Sequence, residues 1–231
     1  MTAGEQKLAA AEAAAARVRS GDVVGLGSGT TARLFVEAIA ERIARGELEG
    51  VRGVPTSSET EELAVELGVP LTTLEAAPEL DLAVDGADEV DPSLDLIKGL
   101  GGALLREKIV ASASRLFIIV IDESKLVERL GTWTPVPVEV LPFGWRVVAE
   151  RVEAFGATVS LRERGGEVAV TDQGNYILDC ALGEIADAAR TAARLAAIPG
   201  VLGHGLFVSM ADEVIVGRDA GVETLIAPPR L

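Results

Sequence analysis

The chain has 231 residues, enough for one large or two small domains with ample core. Its 21 basic and 36 acidic side chains give a net charge of −15 with no basic stripe, which argues against nucleic acid as a partner and leaves an anionic substrate dependent on local donors. One cysteine, Cys180, excludes an internal disulfide and a multi-cysteine zinc site. One histidine, His204, leaves Ser-His-Asp catalysis and His-based metal cages poorly supplied, and no run reaches the roughly 20 apolar residues that span a membrane.

In chain order, the alanine-rich stretch 4–19 predicts a helix ended at Ser20-Gly21. Glu5 and Glu12 among the alanines are unlike a secretory signal, so the cytoplasm is the default address. Lys7 lies one turn in; it could reach a ligand or face solvent, and alone the solvated face is the better reading. Residues 22–27 read as a strand, Ser28-Gly29-Thr30-Thr31 as a turn, and 32–45 as a helix. A strand, a hydroxyl-rich loop and a helix N-terminus make an anion site, because free N–H groups and the helix dipole both favour negative charge. A plain N-cap and turn is the simpler alternative. Gly25, Gly27 and Gly29 spell G-x-G-x-G, not the dinucleotide G-x-G-x-x-G. The next strand, 51–54, runs into Pro55-Thr56-Ser57-Ser58 without an acid for a ribose hydroxyl, so a monophosphate pocket fits better.

A helix over 59–67 and a short strand over 69–74 follow. The apolar run 80–84 then enters Asp85-Gly86-Ala87-Asp88-Glu89. Residues 94–97 lead into Lys98-Gly99-Leu100-Gly101-Gly102, after which Leu104, Leu105, Ile109 and Val110 recur at helical spacing with Glu107 in the opening turns. The continuous apolar run 116–121 suits a strand covered on both faces and ends at Asp122-Glu123-Ser124-Lys125. Two carboxylates and two ammonium groups thus sit where strands end, which is where open α/β sheets bind ligands. Singly, Asp85 and Asp88 could cap turns, Lys98 and Lys125 could be surface charges, and Glu107 could be a dipole-stabilised helix carboxylate. Their convergence favours a site. Two rivals stand beside it. One is a magnesium-dependent phosphotransferase on Asp81, Asp85, Asp88 and Asp91. The other is a non-catalytic sugar-phosphate sensor, for which no segment offers a reader module.

After Gly131 the pattern changes. Strand 135–140, helix 143–155, strand 157–161, strand material at 168–171 and 176–180, helix 184–197 and extended chain over 201–207 give the β-α-β-β-α-β order of a ferredoxin-like unit. Residues 214–216 and 223–226 then return as a hairpin. The expected fold is α/β, a doubly wound, mostly parallel sheet domain (1–130 plus 207–231) with an inserted smaller α+β, ferredoxin-like domain (131–206). Cys180 reads as a small buried hydrophobe, and His204 as a structural imidazole.

The combination Gly27-Ser28-Gly29-Thr30-Thr31, Asp85-Gly86-Ala87-Asp88-Glu89 and Lys98-Gly99-Leu100-Gly101-Gly102-Ala103-Leu104-Leu105-Arg106-Glu107-Lys108 closely resembles ribose-5-phosphate isomerase A. Asp122-Glu123-Ser124-Lys125 and His204-Gly205-Leu206-Phe207 extend the resemblance over nearly the whole chain. It implies that Ser28, Gly29, Thr30 and Thr31 bind the substrate's phosphate end. It implies that Asp85, Gly86, Ala87, Asp88, Lys98, Gly99, Leu100, Gly101 and Lys125 contact substrate, with Glu107 the catalytic base. The family often carries three glycines after the lysine; here Leu100 replaces the middle one. A cofactor-free, dimeric or tetrameric enzyme acting on a sugar phosphate is the expectation that carries over.

Overall fold

The computed structural model describes residues 1–227. In chain order its elements are α1 (Ala3–Ala15), β1 (Val23–Leu26), α2 (Thr30–Ala44), β2 (Arg52–Pro55), α3 (Ser58–Glu66), β3 (Leu82–Asp85), β4 (Glu89–Val90), β5 (Leu96–Ile97), α4 (Leu104–Ser112), β6 (Phe117–Asp122), β7 (Val136–Val140), α5 (Trp145–Glu153), β8 (Thr158–Leu161), β9 (Glu163–Arg164), β10 (Glu167–Val168), β11 (Tyr176–Ala181), α6 (Ala188–Ala196), β12 (Val201–His204), β13 (Leu206–Phe207), β14 (Glu213–Arg218) and β15 (Gly221–Ile226). The chain divides into two compact units. The first is Met1–Ala87, Arg106–Lys125 and residues 209–227; the second is Asp88–Leu105 and Leu126–Val208. Residues 228–231, the end of the expected first domain, lie outside the described residues.

The first unit is built on one six-stranded sheet in the order β15-β14-β6-β3-β1-β2. All neighbours are parallel except the closing β14–β15 hairpin. Parallel neighbours require crossovers: α2 lies between β1 and β2, α3 between β2 and β3, and α4 between β3 and β6. The core is aliphatic: Leu26, Val84, Ile118 and Val120 of the strands pack with Phe35, Ile39 and the alanine face of α1. All six residues of β6 are buried, as a strand covered on both faces must be. Close helix–sheet approach depends on small residues. A Cβ at Gly25 would lie 2.5 Å from Val110 of α4, so that glycine sets how near α4 comes to β1. Gly217 of β14 likewise has no room for a side chain beneath the backbone of Gln6 in α1. Two local expectations need correcting. Helix α1 ends at Ala15 rather than continuing to Arg19, and the strand expected over 69–74 shrinks to one bridge, Gly53 to Leu71.

The second unit has an antiparallel sheet in the order β12-β7-β11-β8. With α5 between β7 and β8 and α6 between β11 and β12, this is the ferredoxin-like arrangement. Val136, Val138, Val140, Leu178 and Cys180 form its core with Val148, Val152 and Leu195 of the helices. A small second sheet, β13-β5-β4, explains why 88–105 pack here, although the sequence reading placed them in the first domain. Of the strand material expected at 168–171, only Val168 lies in a strand, β10. Gly165-Gly166 turn β9 into β10, and Val170 meets Tyr176 in a lone bridge. The extended run 201–207 splits at Gly205, where the chain leaves one sheet for the other. A Cβ there would lie 2.6 Å from the Pro137 ring.

Candidate functional site

In the first unit the resemblance-derived residues gather at the carboxyl ends of β1, β3 and β6. The loop after β1 opens α2. Gly29 is the helix N-cap with φ +87°, a left-handed conformation that favours glycine, and it supplies no side-chain cap. The first amides of α2 therefore remain for an anion, with the helix dipole behind them. Gly29 and Thr30 are exposed, while Thr31 is buried. Helix α1 brings Lys7 to this loop: its Nζ donates to Thr30 Oγ1 at 3.4 Å and lies 3.8 Å from Asp122 Oδ2. Asp122 ends β6, is buried, and also accepts from the Ser124 N–H at 3.1 Å and the Ser124 hydroxyl. The half-buried Lys125 follows one short turn later.

Ser28 is engaged with its own fold. Its N–H donates to Asp85 Oδ1 at 3.1 Å, an oxygen that also accepts from the Gly86 N–H at 2.8 Å. Its hydroxyl lies 2.7 Å from Thr56 Oγ1 and 2.9 Å from Ser57 Oγ. The protons of this cluster can be counted. Thr56 donates to Leu26 O at 3.0 Å, Thr60 to Gly27 O at 3.0 Å, and Ser57 to Thr60 Oγ1 at 2.9 Å. The Ser28 proton is then left for Thr56 or Ser57, and it points inward. Ser28 thus ties the anion loop to Asp85 and to the start of α3, while Gly29 and Thr30 face outward. Gly27 permits the arrangement, since a Cβ there would sit about 2.5 Å from the Asp85 carboxyl carbon. This hydroxyl cluster was not foreseen; Thr56-Ser57-Ser58 reads in sequence as a mere helix start.

Glu107 is buried, with 4% of its surface exposed. It is the fourth residue of α4, and α4 links the parallel neighbours β3 and β6. The helix must run back across the sheet to start β6, so its first turn lies at the carboxyl end of β3, where Asp85 stands. Val110, three residues on and on the same helical face, rests over Gly25 and Ala83. The Glu107 carboxylate is therefore on the sheet side of the helix. A cavity of about 420 Å³ opens beside α4, walled by Val54, Leu71, Thr72, Leu74 and Ile109. None of the residues expected to touch substrate lines it.

The second unit carries the other set. Strands β4 and β5 form a hairpin closed by Asp88 N–H to Ile97 O at 2.8 Å, which places Asp88 beside the chain that leaves β5. The Leu100 N–H donates to Asp88 Oδ2 at 3.1 Å. Lys98 is buried, its N–H donates to Gly205 O at 2.9 Å, and its ammonium stands 5.5 Å from the centre of the Phe207 ring. Gly99 and Gly102 carry the positive φ values of the turn, +100° and +94°. Leu100 does not need one, so its replacement of a glycine costs no backbone strain. Asp91 and Asp81, invoked in the metal reading, serve backbone instead. Asp91 accepts from the Ser93 and Asp95 amides at the hairpin tip, with burial pushing its carboxyl above the usual range, and Asp81 accepts from Val23 N–H.

A family model for ribose 5-phosphate isomerase A (phosphoriboisomerase A) matches residues 52–221. A ribose-5-phosphate isomerase A from Roseiflexus sp. is 53% identical over 220 residues, spanning 95% of this chain and 94% of its own. One from Thermococcus kodakarensis is 45% identical over 228 residues, or 97% and 99% of the two chains. A solved D-ribose-5-phosphate isomerase in complex with phospho-erythronic acid superposes with a TM-score of 0.96 at 41% identity, over 98% of this chain and 100% of that one. The Methanocaldococcus jannaschii ribose 5-phosphate isomerase A superposes at 0.92 and 41% identity, over 96% and 98%. With a family model matching residues 52–221, and with relatives this similar over nearly the whole chain in both sequence and fold, the chain belongs to the ribose-5-phosphate isomerase A family.

Proposed function

We propose that this chain interconverts D-ribose 5-phosphate and D-ribulose 5-phosphate, the aldose–ketose step of the non-oxidative pentose phosphate pathway, through an enediolate with Glu107 as the proton-shuttling base. The hydrogen on C2 of the open-chain aldose is acidic because the C1 carbonyl can take the charge. A carboxylate beside C2 removes that proton and returns it to C1. Such positioned acid–base groups supply about 10²–10⁴ in rate. Lys98 and the amides of Gly99 and Gly101 stabilise the enediolate oxygens, the Leu100 amide being held by Asp88. Each well-aimed donor is commonly worth about 3 kcal/mol. Asp85 or Asp88 handles the hydroxyl protons of ring opening.

The amides of Gly29, Thr30 and Thr31, with Lys7 and Lys125, hold the phosphate, whose binding energy positions the reacting carbons. Ser28 contributes by fixing that loop. Gly86 and Ala87 contribute backbone to the sugar. Glu107 carries the reading: a carboxylate with 4% of its surface exposed, at the sheet end where the anion loop and Asp85 lie. No cofactor takes part, and the chain works as a homodimer or homotetramer in the cytoplasm. No helix among the described residues is long and apolar enough to cross a membrane.

The test is to mix the protein with ribose 5-phosphate in D₂O, with and without EDTA. Ribulose 5-phosphate with deuterium at the transferred position is expected in both. No product, or product only with added magnesium, would reject the reading.

A further inference from the structure

We propose that Arg162, held by Asp179, is a positioning residue for the isomerisation: it pins the carbonyls of the Lys98–Gly101 loop so that the loop's amides are set for the enediolate. This rests on the reading of that loop given above.

Arg162 follows β8, and only 9% of its side chain is exposed. Its own backbone is fixed on both sides, its N–H donating to Ile177 O and its carbonyl accepting from Ala169 N–H, each at 2.9 Å. The guanidinium then spends its donors in two directions. Nε donates to Asp179 Oδ2 at 2.9 Å and Nη2 to Asp179 Oδ1, the two-pronged fit of a guanidinium to a carboxylate. Nη1 donates to Gly99 O and to Leu100 O, both at 2.9 Å. Next along, Arg164 Nη2 donates to Gly101 O at 2.6 Å. Three successive carbonyls of the glycine loop are therefore turned toward cationic groups of the strand that follows.

The consequence lies on the opposite edge of each peptide. In a planar trans peptide the N–H points away from the preceding carbonyl. Fixing Gly99 O, Leu100 O and Gly101 O thus aims the N–H groups of Leu100, Gly101 and Gly102 away from the guanidiniums. Leu100 uses its N–H on Asp88, and Gly102 uses its own to close the turn on Gly99 O at 3.0 Å. The Gly101 N–H is the amide left to meet an oxyanion. The loop needs such a brace because glycine imposes little on its own backbone. Pre-orientation matters because a donor that must first rotate contributes far less to a transition state than one already aimed. Asp179 neutralises the buried cation, so what Arg162 gives the loop is direction, with little net charge.

A merely structural Arg162 would brace the second unit and nothing more, and the two roles are separable. In Arg162→Met the direction is lost. In Arg162→Lys the charge stays, but one ammonium replaces the planar fork. Asp179→Asn keeps shape while removing the partner charge. The full chain of each variant is compared with the parent for kcat and KM with ribose 5-phosphate. Binding of inorganic phosphate and of phospho-erythronic acid, an aldonic acid phosphate whose carboxylate places charge near the reacting carbons, is measured alongside.

In Arg162→Met we expect kcat to fall about ten- to a hundredfold with KM changed less than about threefold. Phospho-erythronic acid should weaken by a similar factor while phosphate affinity holds, and Arg162→Lys should recover part of the loss. A folded Arg162→Met with kcat within about twofold of the parent overturns the proposal, as does equal loss of phosphate and phospho-erythronic acid binding. Should Arg162→Met fail to fold, parent-like kcat in both Arg162→Lys and Asp179→Asn overturns it. An inactive parent would instead reject the isomerase reading, so the two failures are distinct.

Discussion

Replacing Glu107 by glutamine removes one proton-accepting oxygen and almost nothing else. Glutamine matches glutamate in volume, so the buried first turn of α4 keeps its packing. The helix loses a carboxylate near its N-terminus, worth about 0.3–1 kcal/mol. The isomerisation loses its base, worth about 10²–10⁴ in rate, or about 3–5 kcal/mol of barrier. The two magnitudes differ enough to be separated: a small shift in melting temperature, a KM within a few-fold of the parent, and a kcat lower by at least about a hundredfold. Glu107→Asp adds a geometric arm. It restores the charge but withdraws the carboxylate by one carbon–carbon bond, and misplacement by about 1 Å can itself cost about 10²-fold. Both variants are assayed by ribulose 5-phosphate formation and by deuterium uptake from D₂O. Turnover in Glu107→Gln within tenfold of the parent, with deuterium still appearing at the transferred carbon, would remove Glu107 from the mechanism.

Other sites give sharper structural tests. Lys7→Met should raise KM and weaken inorganic phosphate binding with little change in kcat; phosphate inhibition constants measure it. Gly27→Ala forces a methyl group against the Asp85 carboxyl and should cost about 1–3 kcal/mol in urea denaturation as well as lowering kcat. Burial lowers the Lys108 amine from 10.5 to about 8. An amine whose folded pKa is depressed costs stability wherever both states are charged, here below pH 8, and that cost is relieved as pH rises through 8 toward 10.5. Lys108→Met should therefore be more stable than the parent near neutral pH, by up to about 3 kcal/mol, and lose that advantage by the upper end of the window; parallel urea titrations at the two pH values decide it.

What could be read from the chain follows the range of the interactions. The runs 80–84, broken only by Asp81, and 116–121 announce β3 and β6 because a strand buried on both faces needs nearly continuous apolar sequence. The Gly27–Thr31 and Lys98–Gly102 loops were legible because glycine and hydroxyl residues answer to local backbone geometry. The division of the chain was harder. Strands β4, β5 and β13 have two residues each, too few for any periodicity, and what draws 88–105 into the second unit is pairing with Leu206 and Phe207 across more than a hundred positions. Arg162 was illegible for a related reason. Its partners Gly99 and Leu100 lie 63 and 62 residues away, and nothing in Leu161-Arg162-Glu163 marks this arginine among its charged neighbours. The four-hydroxyl cluster falls between these cases. Its residue types were visible, but their meeting depends on the register of β1 with β2, Leu26 opposite Pro55.

On the proposed reading, a chain with fifteen more acids than bases holds a doubly charged phosphate at the start of α2 in the first unit. Cationic side chains alone would not suffice, since Lys7 is shared with the buried Asp122 carboxylate 3.8 Å away. The uncapped amides that open the fifteen-residue α2 carry positive partial charge without any formal charge to be neutralised. Such donors are insensitive to the acidic surface beyond a Debye length, about 8 Å at physiological salt. Asp122 then has a second use on that reading: by holding Lys7 near Thr30 it would fix the ammonium in place ahead of the phosphate. Part of the lysine's attraction is given up for a position that need not be searched for, which is the same exchange that Asp179 makes with Arg162.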